Sequence, residues 1–436
     1  MPLFVPILVG VVLGIACLTF ASFNYYRKRI IDDLPTSKTR GVFIGLAELK
    51  GTAESESPFT SYLGEVKCVQ YIWEVDEEWR RLVTTTSTDA KGNTHVSTHV
   101  ETGWTRVGEG GEDQPFYLQD DMGIIRVGPE GAKIQGNETF NKTVTPADPL
   151  YHGKCRAGAI ANSTHHRRFK ETAIPLHAML YVLGQARERE DVVAAEIAKS
   201  KNESMFIIST KSEKQISRGY GIWWWVFVVL GLTFALLGGA WRMVITSNSS
   251  VVTWEPIIWM GVGYIGALIL VWVWTTFNSL IGLRQRVKQG WSQVEVQLKR
   301  RHDLIPNLVQ AVEGYRQHER ETQTMVAELR TQMTATAPGV KGADFKGVAP
   351  ALRIVGEKYP ELKANESFLR LQQALADTEN RIALARDYFN EIATFYNTRL
   401  EIIPDRFLAA LAGMRQRQLM NAADFERAPV EVKLSS

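Results

Sequence analysis

Two groups of basic side chains are the strongest candidates for chemistry in this chain. The run His-His-Arg-Arg at 165–168 could bind a metal ion or a phosphate. No carboxylate or thiol at ligand spacing accompanies it, which favours a solvated basic loop. His95 and His99 lie four residues apart in a predicted strand. They would share one face but stand about 13 Å apart, too far to hold one metal ion.

The motifs that mark common enzymes are missing from the sequence. We find no phosphate loop, no GxSxG, no HExxH and no DxDxDG calcium loop. Cys17 lies in an apolar span, while Cys68 and Cys155 are far apart, so no CxxC pair can build a zinc ribbon or a RING. A disulfide between Cys68 and Cys155 stays open, although a reduced setting is favoured. We predict no catalytic residue, no metal and no cofactor.

Length and charge allow several domains and give no sign of a nucleic-acid partner. A chain of 436 residues is long enough for two or three domains, and its net charge of +3 is too small for bulk attraction to nucleic acid. The apolar residues are concentrated in a few spans, and the polar residues fill the regions between them.

Three apolar spans exceed the roughly 18 residues that a membrane helix requires. They are Leu3–Phe23, Tyr220–Trp241 and Ile257–Phe277. The first has no Lys or Arg before it and is followed by Arg27–Arg29, which favours an uncleaved anchor over a signal peptide. A lipoprotein cysteine at Cys17 is a weaker alternative.

The distribution of Lys and Arg predicts the topology. Basic residues follow the first span at Arg27–Arg29, Lys38 and Arg40, and the third span at Arg284, Arg286 and Lys288. By the positive-inside rule, the N-terminus is outside and both soluble regions are cytoplasmic in an inner membrane. The predicted segments are two membrane helices at 1–26 and 219–242, a short outer loop at 243–256, a third membrane helix at 257–277, and soluble domains at 37–215 and 278–436.

Residues 37–215 alternate short β-type runs with Gly, Asp and Asn turns. The runs predict a hairpin turn at 89–93, strands at 172–176, 180–183 and 205–209, and a helix around 148–157. Strings at 41–55, 58–75, 116–132 and 206–213 resemble the domain between the two membrane spans of GIDE-type mitochondrial RING ubiquitin ligases. The resemblance implies a β-rich (α+β), membrane-proximal domain. Since those ligases end in a RING and this chain does not, it does not imply ubiquitin transfer.

Residues 278–315 carry apolar positions at alternating steps of three and four, as on a helix that packs against other helices. Pro306 is expected to kink or break this helix near 303–305. The string QLKRRHDLI at 297–305, with further strings at 378–382 and 396–397, resembles the LemA family of membrane-anchored helical bundles. The resemblance implies an antiparallel all-α bundle and assigns no biochemical activity.

Three sets of residues are candidates for packing or contact. Small residues at helical spacing are expected to pack membrane helices, either between copies or within one chain: Gly10, Gly14, Gly231, Ala235 and Gly239. Large apolar residues are expected in the bundle seam: Trp291, Leu298, Leu308, Phe368, Leu375 and Phe389. A basic group could contact lipid headgroups or another subunit, although a solvated face is favoured: Lys299, Arg300 and Arg301.

The sequence thus predicts a multi-domain membrane protein with three transmembrane helices, a β-rich soluble domain and a helical bundle. We expect a non-enzymatic scaffold that homo-oligomerises and organises or senses the inner membrane. Its expected partners are the lipid bilayer and further copies of itself. One alternative is an adaptor that recruits a signalling or proteolytic partner through the bundle. Another is an enzyme accessory with a site in the β-rich domain.

Overall fold

The computed structural model describes residues 4–88, 94–155, 160–189, 195–199, 205–246, 254–313 and 366–420. The chain divides into two compact units, a helical unit of Met1–Pro35 with Ile216–Ser436 and a β-rich unit of Thr36–Gln215. The helices of the described residues are α1 Val5–Asp32, α2 Pro149–Gly153, α3 Glu213–Thr246, α4 Glu255–Glu313, α5 Glu366–Glu401 and α6 Asp405–Leu411.

Three helices of the helical unit are long and apolar enough to cross a membrane. They are Val5–Asp32, Glu213–Val244 and the stretch Glu255–Leu304 of α4. The second and third predicted spans lie wholly within them, and the first lies within α1 from Val5 onward. The chain is therefore membrane-associated. The helices continue past the apolar spans because the polar residues that follow keep helical spacing.

Helix α4 joins the third membrane span and the first soluble helix into one element of 59 residues. The sequence predicts a kink or a break at Pro306, and the break is wrong, since α4 continues to Glu313. The kink stays a prediction. Proline removes one backbone hydrogen bond and clashes with the preceding turn. The turns on either side keep their own bonds, so the helix continues through it.

The described part of the bundle is an antiparallel pair formed by α4 and α5. The indole of Trp291 meets the ring of Phe389 edge-on at 5.4 Å between centroids. Gly290 lets Tyr388 and Ile392 approach, 3.6 Å from where its Cβ would stand. The buried seam consists of Val287, Val294, Leu375, Ile382, Ala385, Phe389, Ile392, Ala393 and Tyr396. The Gly-, Pro- and Ala-rich stretch 336–348 predicts a loop that leads to a short helix at 349–358, and both lie outside the described residues.

The β-rich unit contains thirteen described strands. They are β1 Thr36–Ser37, β2 Gly45–Glu54, β3 Phe59–Thr60, β4 Lys67–Thr88, β5 Thr94–Asp113, β6 Phe116–Gln119, β7 Ile124–Val127, β8 Lys133–Gln135, β9 Asn137–Val144, β10 Ser163–Pro175, β11 Met179–Glu188, β12 Ala195–Ala198 and β13 Ile207–Ser209. Strands β2, β6, β7, β12 and β11 pair in turn, and β11 pairs back to β2, which closes a small barrel.

The barrel encloses the main apolar core of the β-rich unit. Its fully buried side chains include Leu49, Val69, Phe116, Leu118, Val127, Val182 and Ile208. Buried and more exposed positions alternate along β6 and β7, which is the pattern of a sheet with one buried face. Strand β11 differs, because it is buried at five successive positions from Leu180 to Gly184. The helix expected around 148–157 is shorter than that, because α2 ends at Gly153.

A second sheet follows the order β3, β4, β10 and β9, with β5 paired along β4. The predicted solvated loop at 165–168 is wrong, because these residues lie in β10. Arg167 is 1% exposed and its Nε donates to Glu77 Oε2 at 2.9 Å. Arg168 pairs with Asp76 at 2.9 Å. The carboxylate of Glu77 on the neighbouring strand offsets the cost of burying Arg167.

Candidate functional site

Four charged side chains from three helix ends meet in the helical unit, and we call them the anchor cluster: Arg29, Asp33, Arg399 and Asp405. Arg29 lies in the last turn of α1, and Asp33 follows that helix. Arg399 lies in the last turn of α5, and Asp405 begins α6. A cation in the last turn and an anion in the first turn each complement the helix dipole, which suits Arg29, Arg399 and Asp405. Asp33 is an anion at the C-terminal end of α1, where it opposes the dipole.

The anchor cluster is a continuous chain of hydrogen-bonded ion pairs. Arg399 Nη1 donates to both oxygens of Asp33 at 3.1 Å, and its Nε donates to Asp405 Oδ2 at 2.6 Å. Arg29 Nη1 donates to the same Asp405 oxygen at 2.9 Å. Ser279 of α4 donates its hydroxyl to Asp33 at 3.3 Å. The cluster therefore ties α5 and α6 to the end of the first membrane helix.

Burial controls the electrostatics of both carboxylates. The side chains of Asp33 and Asp405 are 9% and 4% exposed. Burial raises the pKa of the Asp33 carboxyl to about 6, against the opposing pull of Arg29 and Arg286. Burial likewise raises the pKa of the Asp405 carboxyl, with Arg29 opposing it. Removing a carboxylate from water favours its neutral form unless cations compensate fully.

The arrangement suits mechanical coupling better than catalysis. Each carboxylate is held by arginines and accepts several hydrogen bonds, which fixes its position. Breaking a buried ion pair leaves an unpaired buried charge. Moving one of these helix ends away from the others is therefore costly. A pKa of about 6 on Asp33 also makes this joint sensitive to pH near neutrality.

The anchor cluster was not predicted from sequence. Arg29 belongs to the basic run that indicates topology. No motif or periodicity in the sequence marks Asp33, Arg399 or Asp405 as its partners. One signal was available. The pair Asp32-Asp33 follows an apolar span and a basic run directly, and acidic residues so close to the end of a span call for cationic partners.

The β-rich unit presents a second candidate surface, a long two-stranded ribbon formed by β4 and β5. The two strands pair without interruption from Asp76–Arg106 to Thr88–Thr94. Strand β10 pairs with β4 only as far as Trp79. Beyond that point the ribbon has two open edges among the described residues. The predicted hairpin turn at 89–93 lies outside the described residues, and the paired arms on either side are those of a hairpin.

Strand β5 has no strand partner other than β4 among the described residues, so its outer edge is open over 20 residues. One face of the ribbon carries exposed apolar side chains at Leu82, Val96 and Val100, which are 73%, 64% and 45% exposed. Long, exposed strand edges pair readily with other chains unless charge, proline or a covering element blocks them. This edge contains no proline, and its charged residues include Glu101, Arg106 and Glu109.

Glycines in β5 accommodate the indoles of β4. The ring of Trp79 lies against Gly103, where an added Cβ would stand 2.6 Å from the indole. Trp73 covers Gly110 in the same way, with its nearest ring atom 2.9 Å from the Cβ position. The pairs lie directly opposite each other in register. These contacts stiffen the ribbon without adding charge to its outer edge.

The buried carboxylates of the β-rich unit are engaged in structural bonds. Glu171 accepts from the backbone N–H of Leu63 at 2.6 Å and of Gly64 at 3.1 Å. Glu48 accepts from the Tyr181 hydroxyl at 2.9 Å, and burial raises the pKa of the Glu48 carboxyl. Within the described residues, no group of three or more His, Cys, Asp or Glu side chains is placed to hold a metal ion. All three cysteines are free.

The glycines singled out for membrane-helix packing lie at contacts within one chain. An added Cβ at Gly10 would stand 3.0 Å from a backbone oxygen of α3. At Gly231 it would stand 2.5 Å from the Tyr264 hydroxyl, and at Gly239 2.8 Å from Ile257 Cα. Gly14 lies farther from its neighbours, with its nearest contact at 3.6 Å. Ala235 is buried with Leu18 and Tyr264, among others.

The seam and basic residues singled out from sequence fall into distinct environments. Leu375 is fully buried, whereas Trp291 and Leu298 are half-buried. Leu308 and Phe368 lie in α4 and α5, but their side chains lie outside the described residues. Lys299 and Arg300 are exposed on α4, and Arg301 is half-buried. The anchor cluster does not include any of these basic residues.

Two family models match the chain in separate regions. The LemA family model matches residues 290–434. The GIDE model, described as an E3 ubiquitin ligase family, matches residues 84–242. Both resemblances drawn from sequence strings are therefore confirmed.

The curated relatives match a third of the chain. Protein LemA of Metamycoplasma hominis is 23% identical over 159 residues, which are 35% of this chain and 73% of that protein. Magnetosome protein MamQ 2 of Paramagnetospirillum magneticum is 22% identical over 172 residues, and MamQ of Magnetospirillum gryphiswaldense is 23% identical over 170. Those matches span 33% and 32% of this chain and less than two thirds of each magnetosome protein, 63% and 62%.

The helices, the matched regions and the relatives agree on one description. Three helices of this chain are able to cross a membrane. One of them leads without interruption into the region that the LemA model matches. The chain is a membrane-associated protein with a C-terminal region of the LemA family, joined to a region that matches the GIDE family.

Proposed function

We propose that this protein is a non-enzymatic, membrane-anchored scaffold that self-associates and organises the inner membrane. The open edge of β5 carries the proposal. An exposed strand of 20 residues is a template for pairing with a second copy. Two copies of an antiparallel ribbon can meet edge to edge around a two-fold axis, which closes the interface.

The composition of the ribbon supports pairing between copies. Its outer part is rich in threonine, with Thr84 and Thr98 directly opposite each other. Leu82 and Val100 also lie opposite each other, so the apolar side chains form one patch. Isolated two-stranded ribbons are marginally stable in water. A second ribbon would supply both the missing hydrogen bonds and cover for the apolar patch.

The anchor cluster supports the scaffold role from the other unit. It holds α5 and α6 to the end of α1, so the helical pair keeps a fixed position on its membrane anchor. A scaffold needs such a joint. A domain that moves freely on its anchor cannot fix the positions of the membrane helices, even when the domain itself is part of an ordered assembly. The LemA-like region and the MamQ relatives support a membrane-associated role.

The test is the size of the full-length protein in mild detergent and in nanodiscs. Val96→Lys with Val100→Lys adds charge to the exposed ribbon face and should shift an oligomer to a smaller particle. The matched control is Ile124→Lys with Met179→Lys, which places two lysines at strand positions that are 62% and 65% exposed. The control should keep the parent size.

The opposite results would refute the proposal. One refuting result is a parent protein that is monomeric in both media and does not crosslink to itself in membranes, because such a protein does not self-associate. If both double variants changed the size equally, the effect would come from added charge rather than from the ribbon.

A further inference from the structure

Two asparagines on one face of α5 bind the backbone of the segment that follows α6. Asn390 donates its amide to the carbonyl of Met420 at 2.9 Å and accepts the N–H of Met420 at 2.8 Å. Asn397 does the same with Arg417, at 2.8 Å for both bonds. We call residues 414–420 the strap. It contains neither helix nor strand.

The spacing of the asparagines matches the repeat of an extended chain. Seven residues along an α-helix rise about 10.5 Å. Three residues of polyproline II rise about 9.3 Å, and the third residue returns to the same side of the chain. Asn390 and Asn397 are seven apart, and Met420 and Arg417 are three apart. The strap thus lies antiparallel to α5 with each contacted peptide facing an asparagine.

Recognition is made through the backbone of the strap. Side chains 415–419 of the strap are exposed. Among the described residues, one side-chain hydrogen bond supports the four backbone bonds, from Gln416 to Glu401 at 2.7 Å, and Arg417 interacts electrostatically with Tyr396. A carboxamide pairs with a peptide group as another peptide would, because it has one donor and one acceptor side by side. Such a site accepts many sequences, since every non-proline residue offers the same pair.

We propose that Asn390 and Asn397 form a binding site for extended peptide segments, which the strap occupies within the chain and which a peptide supplied from outside can take. Each of these hydrogen bonds replaces a bond to water and therefore contributes little net stability, so the strap is held weakly for its length. Its covalent link to α6 provides an effective concentration in the millimolar range. An external peptide therefore competes at millimolar concentration.

The experiment uses the full-length protein with a spin label on the strap. Gln418→Cys in a Cys155→Ser background places the label at an exposed position, away from the buried Cys17 and Cys68. The label should be restrained in this protein. Asn390→Leu with Asn397→Leu should mobilise it. Thr398→Leu, at an exposed position on the same helix, should leave it restrained.

Peptide competition tests backbone recognition directly. A peptide of residues 413–421 should mobilise the label with a midpoint on the order of 1–10 mM. N-methylation at positions 417 and 420 removes the two donated N–H groups and should abolish the competition. N-methylation at 416 and 419 is the matched control, since neither residue bonds to the asparagines, and it should still compete. A scrambled peptide should also compete.

Three results would overturn the proposal. The first is a label that stays restrained in the double asparagine variant. The second is a peptide that fails to mobilise the strap at about 20 mM, above the expected effective concentration. The third is equal competition by both N-methylated peptides, which would assign the displacement to side chains or to non-specific binding.

Discussion

The two units bury charge in different ways. In the β-rich unit, Arg167 and Glu77 lie opposite each other in register on β10 and β4, and both side chains are at most 1% exposed. In the helical unit, Arg29 and Asp405 are 376 positions apart in the chain, and the cluster joins three helix ends. The sheet pair stabilises one contact between neighbouring strands. The anchor cluster couples elements that lie far apart in the sequence.

This difference separates an ion pair between neighbouring strands from a cluster that links distant elements. If Arg167 is lost, Glu77 is left without its partner, and the damage is confined to two strands and α2. If Arg399 is lost, Asp405 still has Arg29, but the link from α5 to Asp33 disappears. The first change should therefore cost more stability, and the second should change the relation between elements.

The largest expected effect comes from Arg167→Met. Glu77 would remain fully buried with no cation, and Tyr151 would lose the bond that its carbonyl accepts at 2.8 Å. Removing one partner of a buried pair costs about 3–5 kcal/mol. Thermal unfolding of the full-length protein should show a much earlier transition of the β-rich unit.

The matched control is Arg168→Met on the same strand. Its partner is Asp76, and the Arg168 side chain is 31% exposed. Exposed pairs contribute about 0–1 kcal/mol, so the transition should move little. If the two variants unfolded alike, burial of the Arg167–Glu77 pair would not be the cause of its stability.

A smaller effect is expected from Arg399→Leu. Asp33 loses its two bonds from Arg399 and keeps the hydroxyl of Ser279. We expect a cost of about 2–3 kcal/mol, since a charged hydrogen bond contributes about 1.5–3. Hydrogen exchange should accelerate in α6 and in the last turn of α5, while the central seam of α5 stays protected.

Arg381→Leu is the control for Arg399→Leu. It removes an arginine from the same helix, where the pair with Asp377 is 37% exposed on the arginine side. Exchange in α6 should not change. Unchanged protection of α6 in Arg399→Leu would contradict the coupling role of the anchor cluster.

Much of the fold follows from local pattern. The three spans were visible as apolar runs, and the seam of α4 and α5 as helical spacing. Strands at 172–176, 180–183 and 205–209 agree with β10, β11 and β13 in position. The family resemblances were visible as recurring strings. In each case the signal lies within one stretch of sequence.

The charged sites could not be predicted in the same way. Arg167 was interpreted as solvated because its partner Glu77 lies 90 positions away and becomes a neighbour only through strand register. The anchor cluster needs the ends of α1, α5 and α6 to converge. No periodicity in any one helix encodes that convergence. The asparagine pair on α5 has helical spacing, but its ligand is a strap without a sequence signature.

The smallest effect concerns the pH dependence of the anchor cluster. The folded pKa of Asp33 is raised to about 6 from 3.8, so the folded protein binds a proton more tightly than the unfolded chain. The stabilisation is therefore complete below pH 3.8 and is lost as the pH rises through 6. Between pH 5 and pH 7 the helical unit should lose about 1 kcal/mol through this group.

Protection of α6 against hydrogen exchange, corrected for intrinsic rates, measures this change in the full-length protein. Protection should fall from pH 5 to pH 7, and Asp33→Asn should flatten the profile because an amide does not titrate. Asp377→Asn, at an exposed pair on α5, should keep the parent slope. A parent profile that rises over this range would mean that Arg29, Arg286 and Arg399 together outweigh burial at Asp33. The anchor cluster would then be a permanently charged joint, and the contrast with the Arg167–Glu77 pair would rest on geometry alone.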